Sequence, residues 1–254
     1  MPTQRFDFTG AQGQHLAGRL DTPDDPPIAY ALFAHCFTCG KDVLAASRLA
    51  GALTARRLAV LRFDFSGLGA SEGEFGNGGF TSNIEDLVAA TAALRDAGTP
   101  PALLIGHSLG GAAVLAAAGA IPEARAVVTI GAPFEAAHVL QLFSDQVAEI
   151  EAKGAAVVEL GGRPFTIFRR FIDDLRAQSQ GERVATLHRA LLVMHSPIDA
   201  TVGIENAADI FQHARHPKSY VSLENADHLL SRRQDADYVA GVITAWVSRY
   251  LPAA

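Results

Sequence analysis

Short apolar runs alternate with longer amphipathic segments along most of this 254-residue chain. Runs such as "IAYALFAH", "AVLRFDF", "PALLIGHS", "ARAVVTIGAP" and "RALLVMHSP" have strand length and are typical of strands buried on both faces. Helix-length segments such as "VLAASRLAGALTARRL" lie between them. Because parallel strands need crossover connections, this alternation predicts a mostly parallel sheet with helices on both faces.

The ends of the chain complete the predicted fold. "RFDFTG" and "HLAGRLD" predict an opening hairpin that turns at "AQGQ", and "KSYVSLEN" predicts the last of eight strands. In "FTSNIEDLVAATAALRDAG", Ser82 and Glu85 have capping-box spacing and Gly98 is a plausible helix end. Because no linker or repeat divides the chain, residues 1–254 are expected to form a single α/β domain.

One interval interrupts the alternation. Between Pro133 and Arg189 more than 50 residues precede the next core strand, and residues 134–188 are expected to form a small lid or cap insertion. Its "AAVVEL-GG-RPFTIF" predicts a hairpin and its "RRFIDDLRAQ" a helix. Such an insertion lies at the carboxyl ends of the strands, where open α/β sheets bind ligands. Three of its aromatic residues are therefore tentative pocket residues, namely Phe143, Phe165 and Phe168.

Composition limits the classes of function. The chain is 49% hydrophobic and 19% charged with a net charge of -6, which is typical of a globular protein. No stretch concentrates Lys or Arg, so no nucleic-acid partner is expected. No uncharged apolar run reaches about 18 residues and no signal peptide is recognised at the N-terminus, so no membrane span is expected. With only two cysteines, the chain is predicted to be cytoplasmic.

The segment "LLIGHSLGG" contains the pattern G-x-S-x-G with Ser108 at its centre. It follows an apolar strand and precedes the small-residue helix "GGAAVLAAAGA", which is the context of a nucleophile elbow. Glycines flank the serine because a sharp turn leaves no space there for side chains. The pattern also occurs in structural turns, but this context favours a nucleophile.

A serine hydroxyl needs a base to act as a nucleophile, and the base needs an acid to orient it. The acid and the histidine are expected downstream, in that order. "LLVMHSPIDATV" places Asp199 after a core strand, and "LENADHLL" places His228 after the last strand. The alternative acids Glu135 and Asp227 have less favourable positions. The alternative interpretation of Asp199 is a turn residue, and that of His228 is a surface histidine.

Both cysteines lie in "LFAHCFTCGKD", as the C-x-x-C pair Cys36 and Cys39. A zinc site is not expected, because His35 and the two cysteines lack a fourth ligand. A thioredoxin-like module is not favoured, because the pair does not open a helix within a small βαβ unit. The sequence leaves open whether these cysteines have a redox role.

Together these motifs resemble those of the α/β-hydrolase superfamily over essentially the whole chain. Its members follow the third strand with an H-G-type loop and often carry D-x-x-G-x-G-x-S-x-G after the fourth, as "DFSGLGASEG" does at residues 64–73. The resemblance implies an α/β-hydrolase fold. It further implies that Ser108 is the nucleophile, His228 the base and Asp199 the acid.

By the same resemblance, His35, Cys36 and Phe37 occupy the family's oxyanion loop, with cysteine in place of glycine. The backbone N–H groups of Phe37 and Leu109 would then hold the oxyanion. "AHCFTCGKD" further resembles a bacterial subgroup whose hydrolase domain is often followed by an osmotically-inducible-type peroxidase domain. Because the sequence ends after the last hydrolase helix, that domain is expected to be absent or removed.

The implied activity is that of a serine carboxylic-ester hydrolase (EC 3.1.1). It would act through an acyl-enzyme on short to medium acyl esters, with a small-molecule ester as partner and with no cofactor or metal. Thioesterase, acyltransferase and small-peptide hydrolase activities use the same machinery and stay open. A non-catalytic ligand-binding member is a further alternative, which the complete set of three residues disfavours. The natural substrate and the oligomeric state are not determined by the sequence.

Overall fold

The computed structural model describes residues 2–251, which form an eight-stranded sheet and two short two-stranded sheets. The strands are β1 (Thr3–Arg5), β2 (Phe8–Thr9), β3 (His15–Leu16), β4 (Gly18–Asp21), β5 (Ala29–Ala34), β6 (Leu58–Phe63), β7 (Leu103–His107), β8 (Ala126–Ile130), β9 (Ala155–Leu160), β10 (Arg163–Phe168), β11 (Ala190–His195) and β12 (Lys218–Ser222). The large sheet has the order β1-β4-β6-β5-β7-β8-β11-β12. Only the pairs β1/β4 and β4/β6 are antiparallel. The prediction of an eight-stranded, mostly parallel sheet is confirmed.

Helices cover both faces of this sheet, as predicted. They are α1 (Leu44–Thr54), α2 (Phe75–Asp96), α3 (Leu109–Ala117), α4 (Ser144–Lys153), α5 (Arg169–Ala177), α6 (Gln180–Ala185), α7 (Glu205–His213) and α8 (Arg233–Val247), with short 3₁₀ helices at Ala118–Ala120 and Ala136–Phe143. None of the helices within residues 2–251 has the length and hydrophobicity needed to cross a bilayer.

The core has two halves because neighbouring strand residues point to opposite faces of the sheet. Leu32 of β5 lies in the half that includes α2 and α3. Its neighbour Phe33 lies in the half that includes α1 and α8. Both side chains are buried, which is why the run "IAYALFAH" has no polar alternation.

Helix α2 begins earlier than the sequence predicts and is kinked at Gly79, whose φ is 67°. Asp174 of α5 caps the second part of α2 by accepting hydrogen bonds from the N–H and the hydroxyl of Thr81. Ser82 instead donates to the carbonyl of Gly79, so the predicted capping box with Glu85 is wrong. The cap comes from a residue distant in sequence, which local spacing does not reveal.

Residues 134–188, hereafter the insert, separate β8 from β11. The hairpin of β9 and β10 turns at Gly161 and Gly162, and α5 follows it, as the sequence predicts. The insert is tied to the rest of the chain at several places. Gln180 of α6 is fully buried and donates a 2.7 Å hydrogen bond to the carbonyl of Ala112 in α3. The insert therefore packs against the helix that follows Ser108.

Candidate active site

Ser108 lies at the sharp turn between β7 and α3. Its φ of 55° and ψ of -128° are a backbone conformation that non-glycine residues rarely adopt, and such strain is concentrated at functional sites. A Cβ atom at Gly106 would collide with the carbonyl of Gly110, and one at Gly110 would collide with the carbonyl of Ala34. The flanking glycines are thus required by close packing, as the sequence predicts.

The structure brings Asp199 and His228 together. The Nδ1–H of His228 donates a 2.7 Å hydrogen bond to Oδ2 of Asp199. Both side chains are shielded from solvent, with 2% of Asp199 and 11% of His228 exposed. A Cβ atom at Gly131 would be within 3.5 Å of both side chains, so this glycine after β8 leaves them room. This bond leaves Nε2 of His228 free to accept a proton.

The Asp199 carboxylate is also fixed by its own loop. Its Oδ1 accepts hydrogen bonds of 2.8 Å and 2.9 Å from the N–H groups of Thr201 and Val202. Burial alone would raise the pKa of Asp199, but the hydrogen bonds from His228 and these N–H groups outweigh it and lower the pKa below its usual value. The acid therefore stays ionised when its partner histidine becomes protonated.

His107, the residue before Ser108, supports the loop that carries His228. Its Nε2–H donates a 2.7 Å hydrogen bond to the main-chain carbonyl of His228, and the two rings lie 5.2 Å apart. Burial, and then the charge of His228, lowers the pKa of His107 to about 4. His107 is therefore neutral at pH 7 and adds no positive charge beside the base.

The two candidate oxyanion donors are the main-chain N–H groups of Leu109 and Phe37. Leu109 is the first residue of α3, so its N–H has no partner within the helix. Within residues 2–251, neither this N–H nor that of Phe37 donates to another group. The close approach of Gly110 to the carbonyls of Ala34 and His35 holds the start of α3 against the loop that carries Phe37.

Residues 36–39, hereafter called the oxyanion loop after the role that the resemblance implies, are closed by a disulfide between Cys36 and Cys39. Within the loop, Thr38 has a φ of 58°, which is unusual for a β-branched residue. The guanidinium of Arg163, at the start of β10, donates a hydrogen bond to the carbonyl of Thr38. The insert thus touches the loop that would bind the oxyanion.

His35 and Asp64 support the oxyanion loop from below. The Nδ1–H of His35 donates to the Cys36 carbonyl at 2.9 Å, and burial lowers the pKa of His35. The carboxylate of Asp64, from the D-x-x-G-x-G segment, accepts hydrogen bonds from the N–H and the ammonium of Lys41 at 2.6 Å each. Asp64 also accepts a bond from the N–H of Ala70. These contacts connect the loops that follow β5 and β6.

Aromatic side chains join the oxyanion loop to the insert. Phe75 at the start of α2 is central, with ring centroids 4.9 Å from Phe165, 5.3 Å from Phe37 and 5.6 Å from Phe171. These four residues form what we call the aromatic cluster. Phe37, Phe75 and Leu109 also line a small pocket beside the elbow. Phe75 was not identified from the sequence, because it lies outside the insert.

The three tentative pocket residues have different surroundings. Phe165 belongs to the aromatic cluster and is half-buried. Phe168 is also half-buried, but within residues 2–251 its ring contacts no other aromatic ring. Phe143 is only 2% exposed and packs in the apolar core. Phe165 is the one that the structure brings nearest to the oxyanion loop through ring contacts.

The alternative acids are not bonded to His228. Asp227 accepts hydrogen bonds from the N–H and the hydroxyl of Ser231. Glu135 precedes the 3₁₀ helix Ala136–Phe143 and makes no side-chain hydrogen bond within residues 2–251. Within the same residues no group of three or more His, Cys, Asp and Glu side chains is arranged to hold a metal ion.

Comparison with known proteins identifies the superfamily of the chain. Residues 39–164 match the family described as serine aminopeptidase, S33. A crystal structure of the esterase domain of a Rhodothermus marinus protein is 52% identical, with a TM-score of 0.80, over 99% of this chain and 100% of that one. No curated protein sequence matches the chain.

More distant structures share the fold. An α/β hydrolase from Penicillium has a TM-score of 0.81 at 15% identity over the full length of both chains. A Xanthomonas campestris protein described as an a/b serine hydrolase without lid has a TM-score of 0.68 at 20% identity, over 100% of this chain and 98% of that one. At these identities the likeness concerns the fold alone.

Proposed function

Because the chain belongs to the serine hydrolases of the α/β-hydrolase superfamily, we propose that it hydrolyses carboxylic esters through Ser108, His228 and Asp199. The observation that carries the proposal is the 2.7 Å bond between His228 and Asp199, in a loop that His107, the residue before Ser108, holds by a 2.7 Å bond to the His228 carbonyl. The esterase domain that is 52% identical supports the choice of ester as substrate class.

In the proposed reaction, Nε2 of His228 takes the proton of Ser108 Oγ as the oxygen attacks the acyl carbon. Asp199 keeps Nδ1 protonated and stabilises the imidazolium that forms. The N–H groups of Phe37 and Leu109 donate to the oxyanion of the tetrahedral intermediate. His228 then protonates the leaving alcohol, and in the second half-reaction it activates water to release the acid from the acyl-enzyme.

We further propose that the insert acts as a lid on this site within a single domain. Two contacts support this proposal: Arg163 of β10 donates to the carbonyl of Thr38 in the oxyanion loop, and the ring of Phe165 packs against that of Phe75. The small pocket among Phe37, Phe75 and Leu109 has only about 10 Å³ of free space, so an acyl chain would enter it only after the insert shifts. The preference for short to medium acyl esters stays a prediction from the sequence. A cytoplasmic location and the kinship to peroxidase-fused hydrolase domains stay predictions from the sequence.

A second candidate function is hydrolysis of small peptides, favoured by the match to the family described as serine aminopeptidase, S33. The same nucleophile and base serve both reactions, but an aminopeptidase must also bind a free α-amino group. Thioester hydrolysis and acyl transfer use the same acyl-enzyme and differ in the leaving group or the acceptor.

Two substrate panels separate these functions. We expect the protein to hydrolyse p-nitrophenyl esters from acetate to octanoate and to leave aminoacyl p-nitroanilides intact. Rapid cleavage of the anilides with slow cleavage of every ester would assign the aminopeptidase function instead. The Ser108→Ala variant in both panels shows whether the turnover belongs to this site.

A further inference from the structure

The disulfide between Cys36 and Cys39 encloses the residue that donates to the proposed oxyanion. We propose that this pair is a redox-active thiol–disulfide exchange site that accepts electrons from a small dithiol, and that its reduction lowers the ester hydrolysis proposed above. The main chain of that donor lies inside the ring that the disulfide closes.

The disulfide spans too short a segment to contribute much to global stability. Cross-links stabilise a fold mainly by restricting the unfolded chain, and the effect is smallest for short loops. The sequence separation here is only 3 residues. The effect of this bond is therefore local, on the conformation of Phe37 and Thr38.

Only one sulfur of the disulfide, that of Cys39, is accessible to a small thiol. Cys36 is buried with 7% exposure, whereas Cys39 is half-buried. Cys39 lines an open groove of about 640 Å³ together with Thr38, Lys41 and Arg163. A small thiol can thus approach Cys39 from the groove but cannot reach Cys36 directly.

Charges in the groove suit a thiolate. Within residues 2–251 the guanidinium of Arg163 has no carboxylate partner, and it binds the carbonyl of Thr38, next to Cys39. The ammonium of Lys41 also lies in the groove, where it is neutralised by Asp64 at 2.6 Å and Asp42 at 3.5 Å, so Arg163 is the cation available to Cys39. A cationic group beside a cysteine stabilises its thiolate, so Arg163 favours the release of Cys39 in the second step of the exchange.

The exchange balances as a two-electron reduction. One thiolate of the dithiol attacks Sγ of Cys39, the Cys36–Cys39 bond breaks, and Cys36 leaves as a thiolate with the electron pair. The second thiol of the reagent then attacks its own mixed disulfide and releases Cys39. The dithiol becomes a cyclic disulfide, and its two protons pass to the cysteines or the solvent.

Reduction should weaken the oxyanion site in two ways. Thr38 would no longer be held by the ring at its unfavourable positive φ, so the N–H of Phe37 would lose its fixed direction. Cys36 also lines the small pocket with Phe37 and Leu109, so its freed side chain can take another position there and shift the Phe37 N–H away from the oxyanion. Both effects lower kcat more than they raise KM.

The test measures thiols and activity on the same sample. The folded protein is incubated with increasing dithiothreitol, its thiols are trapped with a maleimide and counted by mass, and p-nitrophenyl acetate hydrolysis is followed. We expect two thiols to appear together while kcat falls about tenfold, less than the loss of a whole oxyanion donor. Reoxidation should restore kcat. Circular dichroism checks that the fold is retained.

A variant and its control make the result decisive. The double variant Cys36→Ala/Cys39→Ala should have the low kcat of the reduced enzyme and should not respond to dithiothreitol. A disulfide that resists reduction in the folded protein would overturn the exchange site, and reduction with unchanged kcat would overturn its effect on hydrolysis. If the oxidised protein neither hydrolyses esters nor reacts with a fluorophosphonate, the proposed function fails. The thiol count still decides the exchange site in that case.

Discussion

The two sides of the candidate site are held in place by different means. On the proton-transfer side, Asp199 and His228 follow neighbouring strands, β11 and β12, and are joined directly by a 2.7 Å hydrogen bond. On the oxyanion side, the loop is held by a disulfide, by Arg163 of the insert and by the ring of Phe75. The first side depends on the sheet, and the second depends on contacts between loops.

This difference suggests how each side responds to change. Strand ends in a parallel sheet are rigid and converge on one edge, so the loss of one group removes a function without moving its neighbours. A loop that is held by several separate contacts can change its position gradually as single contacts are lost. We therefore expect large, uniform losses on the proton-transfer side and smaller, substrate-dependent or redox-dependent changes on the oxyanion side.

The largest effect is expected for the nucleophile and its base. Ser108→Ala and His228→Ala should each lower kcat on p-nitrophenyl acetate by at least about 10³, because the two groups act as a unit. Thermal unfolding should show that both variants fold. Retention of most of the activity in either variant would remove that residue from the mechanism.

Loss of the proposed acid Asp199 should lower kcat less than loss of Ser108 does, but far more than loss of the alternative acid Glu135. Asp199→Asn should lower kcat by up to about 10⁴, but by less than Ser108→Ala does, because the amide no longer stabilises the imidazolium. The matched control is Glu135→Gln, which should have nearly wild-type kinetics since Glu135 makes no bond to His228. A reversal of these two results would assign the acid to Glu135.

His107 tests whether support of the base is separable from catalysis. In His107→Leu the hydrogen bond to the His228 carbonyl is lost, and kcat should fall about tenfold with little change in KM, equivalent to ~1.4 kcal/mol. His107→Gln keeps a donor at a similar position and should recover most of the rate. If both variants lose activity equally, His107 acts through packing alone.

On the oxyanion side, the aromatic cluster should influence selectivity. Phe165→Ala opens the contact with Phe75 and should change relative kcat/KM between acetate and octanoate esters by about fivefold, the order expected for a few methylene groups in a pocket. Phe143→Ala is the contrasting variant. It should cost about 3 kcal/mol of unfolding free energy with unchanged chain-length preference, because Phe143 is buried in the core. An equal loss on all esters in Phe165→Ala would indicate a scaffold role.

The smallest expected effect is on the pH dependence of stability, through Asp86 of α2, which accepts hydrogen bonds from Ser66 in the loop after β6. Burial raises the pKa of Asp86 to about 6 from 3.8, despite hydrogen bonds from Ser66. Between these values the folded state binds a proton that the unfolded state has lost, so Asp86 makes stability fall as pH rises. Asp86→Asn should remove this fall, and the gain in Tm over wild type should grow from pH 4 to 7. Asp209→Asn, at an exposed position, should show no such trend.

Much of the fold and the positions of the proposed proton-transfer residues could be predicted, because both follow from local patterns. Unbroken apolar runs identify buried strands, and the ends of those strands place Ser108, Asp199 and His228 on one edge. Contacts between distant loops leave no such pattern. The cap from Asp174 and the bond from Arg163 to the oxyanion loop depend on how the insert packs, and C-x-x-C spacing does not state whether the bond is formed.

Covalent labelling with a fluorophosphonate, followed by peptide mass spectrometry, tests the proposed nucleophile and its base together. We predict one adduct per chain, on Ser108, formed at the wild-type rate in Glu135→Gln, more slowly in Asp199→Asn and hardly at all in His228→Ala. Labelling of another residue, or full-rate labelling of Ser108 without His228, would contradict the account.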